Sequence, residues 1–394
     1  MKAKDSGLCA VKGVRAFGIK PGKMGLAIIV AEGNAAGVFT RNKVIAAPLI
    51  VTREALGKNG RLAAVIANSG NANAFTGEQG LADAREMASI LSERLGVDSD
   101  LIAVASTGVI GRKLDIDWIR DNVDEVMNGL VASPQGNSHA ARAIMTTDTF
   151  PKMTAIELDC GVCIGGIAKG SGMIEPNMGT MLGFVYTDAA LPSDVLDECL
   201  KEAVDRSFNM VVVDGDTSTN DMVLLTATGA TGISPDINEF KEGLEHVLVD
   251  LAKQIAKDGE GATRLIEAQV TGAVSEEDAR LVAKAIVRSP LVKSAIFGKD
   301  PNWGRVVAAA GYSGAELEQD RLSLAFSNGV DTVYLVNEGK ILSEDKEHLQ
   351  KLEAIMGSSE VIIMVGLSLG NANAKAWGCD LTYDYVRINA EYTT

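Results

Sequence analysis

Short runs of apolar residues alternate along this chain with longer amphipathic runs. The short runs are rich in β-branched residues and end at Gly, Asn or Asp, a pattern that predicts β-strands. Twelve such runs are present in the sequence. They cover residues 26–30, 63–67, 101–105, 155–158, 162–167, 181–186, 222–227, 264–270, 322–326, 332–336, 361–364 and 381–388.

The longer runs have helical periodicity. Residues 80–95 place apolar side chains three or four positions apart and are followed by Gly96, and Ser275 to Asp278 form a capping pattern before a helix over 279–288. Residues 193–208 and 237–257 complete the predicted helices. Alternating strands and helices predict an α/β protein, and strands that follow one another without a helix predict mixed sheets.

Length and charge narrow the class of protein. At 394 residues, 46% of them hydrophobic, the chain can bury a sizeable core, and its length suggests two or three structural units. The formal net charge of −15 repels nucleic acid and anionic membranes, so we expect neither as a partner. No apolar run approaches ~18 residues and the first residues lack the apolar segment of a signal peptide. We therefore expect a cytoplasmic protein.

Two short motifs suggest metal or nucleotide binding but lack the required spacing. Cys160 and Cys163 have CxxC spacing, yet there is no second CxxC for a zinc site, and the alternating pattern around them predicts a hairpin. The acidic run 214–221 lacks the spacing of a calcium loop, and the Gly-rich run 161–172 lacks that of a phosphate loop. We expect no metal and no bound cofactor.

Thr180 is the strongest candidate for chemistry. It follows Gly179, at the junction between a Gly-rich run and an apolar run. If its hydroxyl attacks the preceding carbonyl, the chain is cut and Thr180 becomes an N-terminus that carries both a nucleophile and a base. An α-amine titrates near ~7.7–8.0, so it can take up the hydroxyl proton at neutral pH. The alternative is a Gly-rich loop that leads into a buried strand.

Eight separate blocks of the sequence carry a resemblance to a known family, in that family's order. They are residues 34–40, 68–74, 106–111, 145–152, 169–184, 213–221, 297–305 and 387–389. Through these blocks nearly the whole sequence resembles the glutamate N-acetyltransferase family of arginine biosynthesis, also called ornithine acetyltransferases. That family usually has alanine before the cleaved threonine, where this chain has Gly179, which loosens the backbone and puts the rate of cleavage in question.

The resemblance implies an architecture and a maturation step. Its fold is one of mixed sheets layered with helices, similar to N-terminal-nucleophile hydrolases but with different connectivity. Cleavage between Gly179 and Thr180 would give an α chain of residues 1–179 and a β chain of residues 180–394. Similar enzymes assemble as two α and two β chains.

The resemblance also implies the site residues. Thr180 would be the nucleophile, and Thr107 and Gly108 would form the oxyanion hole that stabilises charge on the attacked carbonyl. Lys169 would bind a substrate carboxylate and Glu260 a substrate amine. The implied substrate set is completed by Thr180 itself, by Thr146 or Thr147, and by Asn389 and Thr394.

The implied reaction moves the acetyl group of N-acetyl-L-ornithine to L-glutamate through an acetyl-threonine ester. Whether acetyl-CoA also serves as a donor stays open, because family members differ. One alternative is a self-processing amidase or aminopeptidase in which water replaces glutamate. Another is a non-catalytic α/β binding protein whose Gly-rich loops are structural.

Overall fold

The chain divides into two compact units. The computed structural model describes residues 1–175, 181–342 and 345–391. Of these, the first unit contains residues up to 209 together with 216–251, and the second unit contains 210–215 and the residues from 252 onward. The predicted cut after Gly179 therefore falls within the sequence of the first unit rather than between the units.

The described residues form sixteen strands and eleven α-helices. The strands are β1 Lys2–Ala3, β2 Arg15–Ile19, β3 Gly25–Phe39, β4 Arg61–Asn71, β5 Ile102–Val109, β6 Lys152–Glu157, β7 Cys163–Lys169, β8 Leu182–Thr187, β9 Val211–Val212, β10 Met222–Ala227, β11 Leu265–Ala273, β12 Ser323–Ser327, β13 Thr332–Asn337, β14 Lys340–Ile341, β15 Glu360–Gly366 and β16 Ala372–Cys379. The helices are α1 Ala47–Asn59, α2 Gly77–Leu95, α3 Ile116–Asn128, α4 Pro134–Ala143, α5 Ser193–Arg206, α6 Ile237–Lys257, α7 Glu276–Arg288, α8 Pro290–Phe297, α9 Trp303–Gly311, α10 Lys346–Gly357 and α11 Tyr383–Glu391.

The first unit contains one mixed sheet that folds back on itself. Its strand order is β1-β6-β7-β8-β10-β3-β4-β5, with β2 against β3; the β8–β10 and β4–β5 pairs are parallel and the other pairs are antiparallel. The register of β3 against β4 shifts between Val30 and Gly33, just before the pairing of β3 with β10 begins at Asn34. Such bulges bend a strand. Val65 from one half of the sheet and Phe184 from the other consequently lie in the same apolar core.

Alternating side chains of β3 enter two different cores. Ile29 points into the core shared by the two halves of the sheet, whereas Ile28 packs with Met87 of α2 and Ile119 of α3. Successive side chains in a strand point to opposite faces, so a strand covered on both sides is apolar throughout. Gly243 of α6 lies against the other half of the sheet. The result is a helix–sheet–sheet–helix layering within the first unit.

The second unit has its own mixed sheet, in the order β14-β13-β12-β15-β11-β16-β9. The β11–β15 and β16–β9 pairs are parallel, and the other pairs are antiparallel. Helix α7 packs on β11 and β16, and α10 packs near β12 and β13. The prediction of an α/β protein with mixed sheets layered with helices is confirmed.

Two local predictions had different outcomes. The hairpin predicted at the two cysteines is confirmed, since β6 and β7 pair antiparallel on either side of it. The strand predicted over residues 381–388 is wrong, because residues 383–388 belong to α11. Thr382 caps the helix by accepting a hydrogen bond from the backbone N–H of Tyr385 at 3.3 Å, and this local contact outweighs the alternating aromatic pattern.

Candidate functional site

Thr107 and Lys169 meet where two strands of the first unit end. Thr107 lies in β5, Lys169 is the last residue of β7, and both side chains are buried. The Lys169 ammonium donates a hydrogen bond to the Thr107 hydroxyl, with 3.1 Å between Nζ and Oγ1. A hydroxyl accepts through its lone pairs and donates through its one hydrogen, so Thr107 keeps its hydrogen for another acceptor. The adjacent ammonium polarises that hydroxyl and strengthens it as a donor.

Gly108 occupies a backbone position that only glycine fits. Its φ is +134°, and a Cβ at this position would lie 2.4 Å from the carbonyl carbon of Gly70 on β4. The two glycines are partners in the parallel β4–β5 pair. This close approach fixes the backbone immediately after Thr107.

Asp148 anchors the chain next to Lys169. Its carboxylate accepts hydrogen bonds from Lys152 Nζ at 2.7 Å, from the N–H of Gly170 at 2.7 Å and from the N–H of Thr146 at 3.0 Å. The Asp148 and Lys152 side chains are both 0% exposed. Burial opposes ionisation, but the positive charges of Lys169 and Lys152 and these hydrogen bonds lower the pKa of Asp148 to about 2. Asp148 is therefore ionised at neutral pH.

Thr146 and Thr147 follow a segment held by a second lysine. Lys20 Nζ donates to the carbonyl oxygen of Met145 at 2.7 Å and to Ser69 Oγ at 2.9 Å. Burial lowers the pKa of Lys20. Both threonines are partly exposed beside this contact, so both stay candidates for binding substrate.

Asp221 is a second buried aspartate in the same unit, directly before β10. The N–H groups of Met181 and Ser218 and the Ser218 hydroxyl donate to its carboxyl group. Among the described residues, its Oδ2 atom has no hydrogen-bond partner. Burial raises the pKa of Asp221 well above its usual value, although those hydrogen bonds and the charge of Lys169 oppose the shift. The pKa of Asp221 is thus shifted upward, whereas that of Asp148 is shifted downward.

Asparagine side chains tie the loop before Asp221 to the strand that carries Thr107. Asn220 Nδ2 donates to the carbonyl oxygen of Ala72 at 2.6 Å and to that of Ser106 at 2.9 Å. The Ser106 hydroxyl donates to Asn68 Oδ1 at 2.6 Å. All these contacts are buried, where an unmade hydrogen bond would be costly. The end of the acidic run 214–221 is thus tied to the strand that carries Thr107.

Glu260 and Asn389 meet in the second unit. Asn389 Nδ2 donates to Glu260 Oε2 at 2.8 Å and to the carbonyl oxygen of Tyr385, one helical turn earlier, at 3.0 Å. The hydroxyl of Thr382 donates to the carbonyl oxygen of Gly261 at 2.7 Å, which ties the Glu260 loop to the start of α11. The arrangement presents a partly exposed carboxylate, the group that a substrate ammonium requires.

The structure thus brings the candidate residues together in two sets. Thr107, Gly108 and Lys169 lie together in the first unit, near the segment of Thr146 and Thr147, while Glu260 and Asn389 lie together in the second unit. The remaining candidates lie outside the described residues. They are Gly179, Thr180 and Thr394.

Sequence reasoning did not assign roles to Lys20, Asp148, Asn220 and Asp221. Three of them lie in blocks 145–152 and 213–221, where polar residues cluster between strands. That clustering is the feature of the sequence that could have indicated a role for them. In the described part of the chain, no group of three or more His, Cys, Asp and Glu side chains could hold a metal ion. No described helix is long and apolar enough to span a bilayer.

Known proteins similar to this chain are enzymes of acetyl transfer and arginine biosynthesis. The ArgJ family model matches residues 11–394. The glutamate N-acetyltransferase of Methanosarcina mazei is 66% identical over 397 residues, with 100% of both chains covered. The arginine biosynthesis bifunctional protein ArgJ of Archaeoglobus fulgidus is 50% identical over 384 residues, covering 98% of this chain and 99% of the relative.

A solved structure agrees with these relatives. The crystal structure of the arginine biosynthesis bifunctional protein ArgJ from Bacillus halodurans is 45% identical, with a TM-score of 0.51, and covers 54% of this chain and 100% of its own. The class that these matches define is that of the N-acetyltransferases. Within that class, the chain belongs to the ArgJ family, and the resemblance drawn from its sequence blocks is confirmed.

Proposed function

We propose that this enzyme transfers the acetyl group of N-acetyl-L-ornithine to L-glutamate in arginine biosynthesis, after cutting its own chain between Gly179 and Thr180. The new N-terminal Thr180 would supply both the nucleophilic oxygen and, in its α-amine, the base. The printed names of the relatives support the acetyl-transfer chemistry and the pathway. The residues of this chain support the proposed roles of Thr180, of the oxyanion donors and of the substrate-binding side chains.

The observation that carries the proposal is the buried contact between Lys169 and Thr107. Attack on an acetyl carbonyl places negative charge on its oxygen, and a hydroxyl polarised by an ammonium is a strong donor to that charge. Lys169 is paired across the sheet with Leu182, which is two residues after Thr180 in the sequence. The donor pair thus lies beside the strand into which the nucleophile's segment leads.

The reaction would run in two halves. In the first, the Thr180 oxygen attacks the acetyl carbon of N-acetylornithine, the carbon–nitrogen bond breaks, and ornithine leaves with the proton that the α-amine took from the hydroxyl. In the second, the amine of glutamate attacks the acetyl ester, and N-acetylglutamate leaves as Thr180 regains its proton. In both halves the same hydrogen-bond donors stabilise the charge on the carbonyl oxygen, so one site serves both steps of the ping-pong transfer.

Both substrates carry charges that need partners. We assign the substrate carboxylate to Lys169 and the ornithine side-chain amine to Glu260, with Asn389 orienting that carboxylate. Thr146 or Thr147 and the terminal Thr394 complete the proposed binding set. A bound cofactor has no step in this scheme.

Interleaved strands would hold the two fragments together after cleavage. In the sheet of the first unit, β8 and β10 come from the proposed β chain, and they lie between β7 and β3 of the proposed α chain. Separating the fragments would break two strand pairings and open a shared core. We therefore propose that the α and β chains stay associated. From the family resemblance we further propose an assembly of two α and two β chains in the cytoplasm.

The length of the solved relative supports the cleavage step. The Bacillus halodurans chain is matched over its full length yet covers 54% of this chain. Residues 180–394 make up about 55% of the sequence. A separate chain of that size is what a cut at Gly179–Thr180 would produce.

Mass spectrometry of wild type and Thr180→Ala under denaturing conditions tests the proposal. Wild type should appear as two fragments, and the second should become one acetyl group heavier after mixing with N-acetylornithine alone. Thr180→Ala should stay a single chain of 41.3 kDa without transfer activity. Thr187→Ala, at the other end of β8, is the matched control and should still be cut. Two fragments from Thr180→Ala would contradict the proposal.

Two product assays determine the donor and the acceptor. N-acetylglutamate formed from N-acetylornithine and glutamate supports the proposed transfer, and acetyl-CoA with glutamate tests the second donor. Sustained ornithine release at the same rate without glutamate would instead identify an amidase that uses water.

A further inference from the structure

Lys20 is a half-buried lysine to which the transfer reaction above gives no role. It follows β2, in the turn that leads to β3. Its Nζ atom donates to the carbonyl oxygen of Met145 at 2.7 Å, to Ser69 Oγ at 2.9 Å and to the carbonyl oxygen of Lys23 at 3.4 Å. The Ser69 hydroxyl gives its own hydrogen to the carbonyl oxygen of Ala143, so it accepts from Lys20. Three donated bonds fit an ammonium, which has three N–H groups.

Two of these bonds place the Lys20 ammonium beside the candidate site. Met145 leads directly into the segment of the two candidate threonines. Ser69 on β4 is the register partner of Thr107 on β5, whose hydroxyl accepts a hydrogen bond from Lys169 at 3.1 Å. The charge of Lys169 acts on Lys20 as well. One ammonium thus bridges the strand of the proposed oxyanion donor and the segment of the substrate threonines.

The third bond of Lys20, to Lys23, is the weakest and can be exchanged. Its length of 3.4 Å exceeds that of an ordinary N–H···O bond, and it is an exposed contact between residues three positions apart. A carboxylate that arrives from solvent can take this N–H while the bonds to Met145 and Ser69 stay in place. The new bond would join two charged groups, which makes it stronger than the one it replaces.

The two substrates differ in the charge at the end of the side chain. N-acetylornithine carries one carboxylate and a side-chain ammonium, which the proposed scheme assigns to Lys169 and Glu260. Glutamate carries a second carboxylate where ornithine has its ammonium, and the Glu260 carboxylate would repel it. The acceptor therefore needs another cation. Lys152 is unsuited, because its side chain is 0% exposed and held by Asp148 at 2.7 Å.

We propose that Lys20 binds the second carboxylate of glutamate and so selects the acceptor of the acetyl group. The inference rests on the proposed function, since it assumes that N-acetylornithine and glutamate react in separate halves. Lys20 acts in the second half, where glutamate enters, and the first half does not need it. The bonds made and broken in the transfer are unchanged, because Lys20 keeps its proton throughout.

Glutamine is the acceptor that tests this role, because it has the shape of glutamate with a neutral amide in place of the second carboxylate. Acetyl-enzyme is formed with N-acetylornithine, separated from excess donor and mixed with glutamate or glutamine. Mass spectrometry follows the loss of the acetyl group at several acceptor concentrations. Wild type should react faster with glutamate. Lys20→Met should lower the second-order rate constant for glutamate about 10- to 100-fold, the contribution of a hydrogen bond to a charged group, and change that for glutamine far less.

Two matched variants separate recognition from structure. Lys20→Arg keeps the charge and the N–H donors, so it should retain part of the preference for glutamate. Lys23→Met removes one charge from the same turn at an exposed side chain, and it should leave the preference unchanged. The ratio of the two rate constants is measured within one preparation, so it does not depend on the fraction of each variant that is active.

The outcomes distinguish this proposal from the one it rests on. A structural role predicts that Lys20→Met slows glutamate and glutamine equally, and that result would overturn the role of Lys20 alone. A wild type that reacts equally fast with both acceptors would also overturn it. The rate of ornithine release during acetylation is a further measurement, and it should fall much less in Lys20→Met than the rate constant for glutamate. Failure of wild type to form an acetyl-enzyme would instead overturn the proposed function.

Discussion

Asp148 and Asp221 are two buried aspartates in one unit, and both interact electrostatically with Lys169. Burial opposes ionisation of both. Asp148 also has the ammonium of Lys152 at 2.7 Å, and its pKa falls to about 2. Asp221 has only uncharged donors in direct contact among the described residues, and its pKa rises.

The difference shows that burial alone does not set the charge of a carboxyl group. An ammonium in direct contact outweighs desolvation, whereas hydrogen bonds from a hydroxyl and two N–H groups, with a more distant charge, do not. Asp148 is consequently suited to accept backbone N–H groups as a carboxylate, whereas Asp221 holds a proton more readily than an ordinary aspartate. Three substitutions, in order of expected effect, test this division.

Asp148→Asn should be the most damaging. It leaves the fully buried ammonium of Lys152 without its carboxylate, and breaking a buried pair in this way costs about 3–5 kcal/mol. The free energy of unfolding from urea titration measures the loss. Replacing Lys152 by Met in the same chain removes the unpaired charge and should restore part of the stability. An Asp148→Asn protein as stable as wild type would show that this ion pair does not hold the fold.

A second pair with the same sequence spacing is the control for Asp148→Asn. Asp197 and Lys201 on α5 are also four residues apart and lie 2.5 Å from each other, but their side chains are 43% and 57% exposed. Water screens this pair, so Asp197→Asn should change stability by less than about 0.5 kcal/mol. The contrast isolates burial as the cause.

The sequence predicted the parts of the site that depend on residue type and chain order. Thr107, Gly108 and Lys169 follow from family blocks, and the structure places them together. The opposite pKa shifts of Asp148 and Asp221 could not be predicted, because the sequence does not show that both are buried, or that the Lys152 ammonium contacts the Asp148 carboxylate. In the sequence, both aspartates lie in short polar segments between strands, and nothing there distinguishes them.

The fold shows the same limit. Most strands were predicted, but residues 26–30 are only the first part of β3, which continues through a bulge into the small residues of 33–37 that have weak strand preference. Helix α1 was missed because its apolar residues do not form one stripe; it is buried by packing against α2 and β5. The secondary structure of such segments is set by contacts with elements distant in the sequence, and a local residue pattern carries no information about those contacts.

Lys169→Met should have the second-largest effect of the three substitutions. Its effect should be on catalytic activity. It removes the charge proposed to bind the substrate carboxylate and to polarise Thr107, and hydrogen bonds to charged groups contribute about 1.5–3 kcal/mol. We expect kcat/KM for N-acetylornithine to fall about 10- to 100-fold. Lys169→Arg keeps the charge and should recover part of that loss. Unchanged kcat/KM in Lys169→Met would remove Lys169 from the site.

Asp221→Asn should change the free energy of unfolding with the opposite sign to Asp148→Asn, and near pH ~4 its effect should be the smallest of the three. Below pH ~4 the carboxyl is protonated in both folded and unfolded chains, so it contributes no pH dependence. Above pH ~4 the unfolded chain ionises while the folded chain does not, because burial raises the folded pKa of Asp221. Wild type therefore loses up to about 1.4 kcal/mol per pH unit from this group, until the folded carboxyl also ionises.

Asparagine cannot ionise, so Asp221→Asn should become more stable relative to the parent chain as pH rises from 4 toward neutrality. Both proteins should carry Thr180→Ala, so that uncut chains are compared and cleavage does not contribute. Urea titrations at several pH values measure the difference in unfolding free energy. Asp188 lies buried after the far end of β8, and its oxygens accept the backbone N–H groups of Cys163 and Lys12. Asp188→Asn in the same background is the control and should be less stable than its parent chain, because asparagine satisfies these two N–H groups less well. A stability difference that stays flat between pH 4 and 7 would mean that Asp221 ionises in the folded chain, and the contrast with Asp148 would disappear.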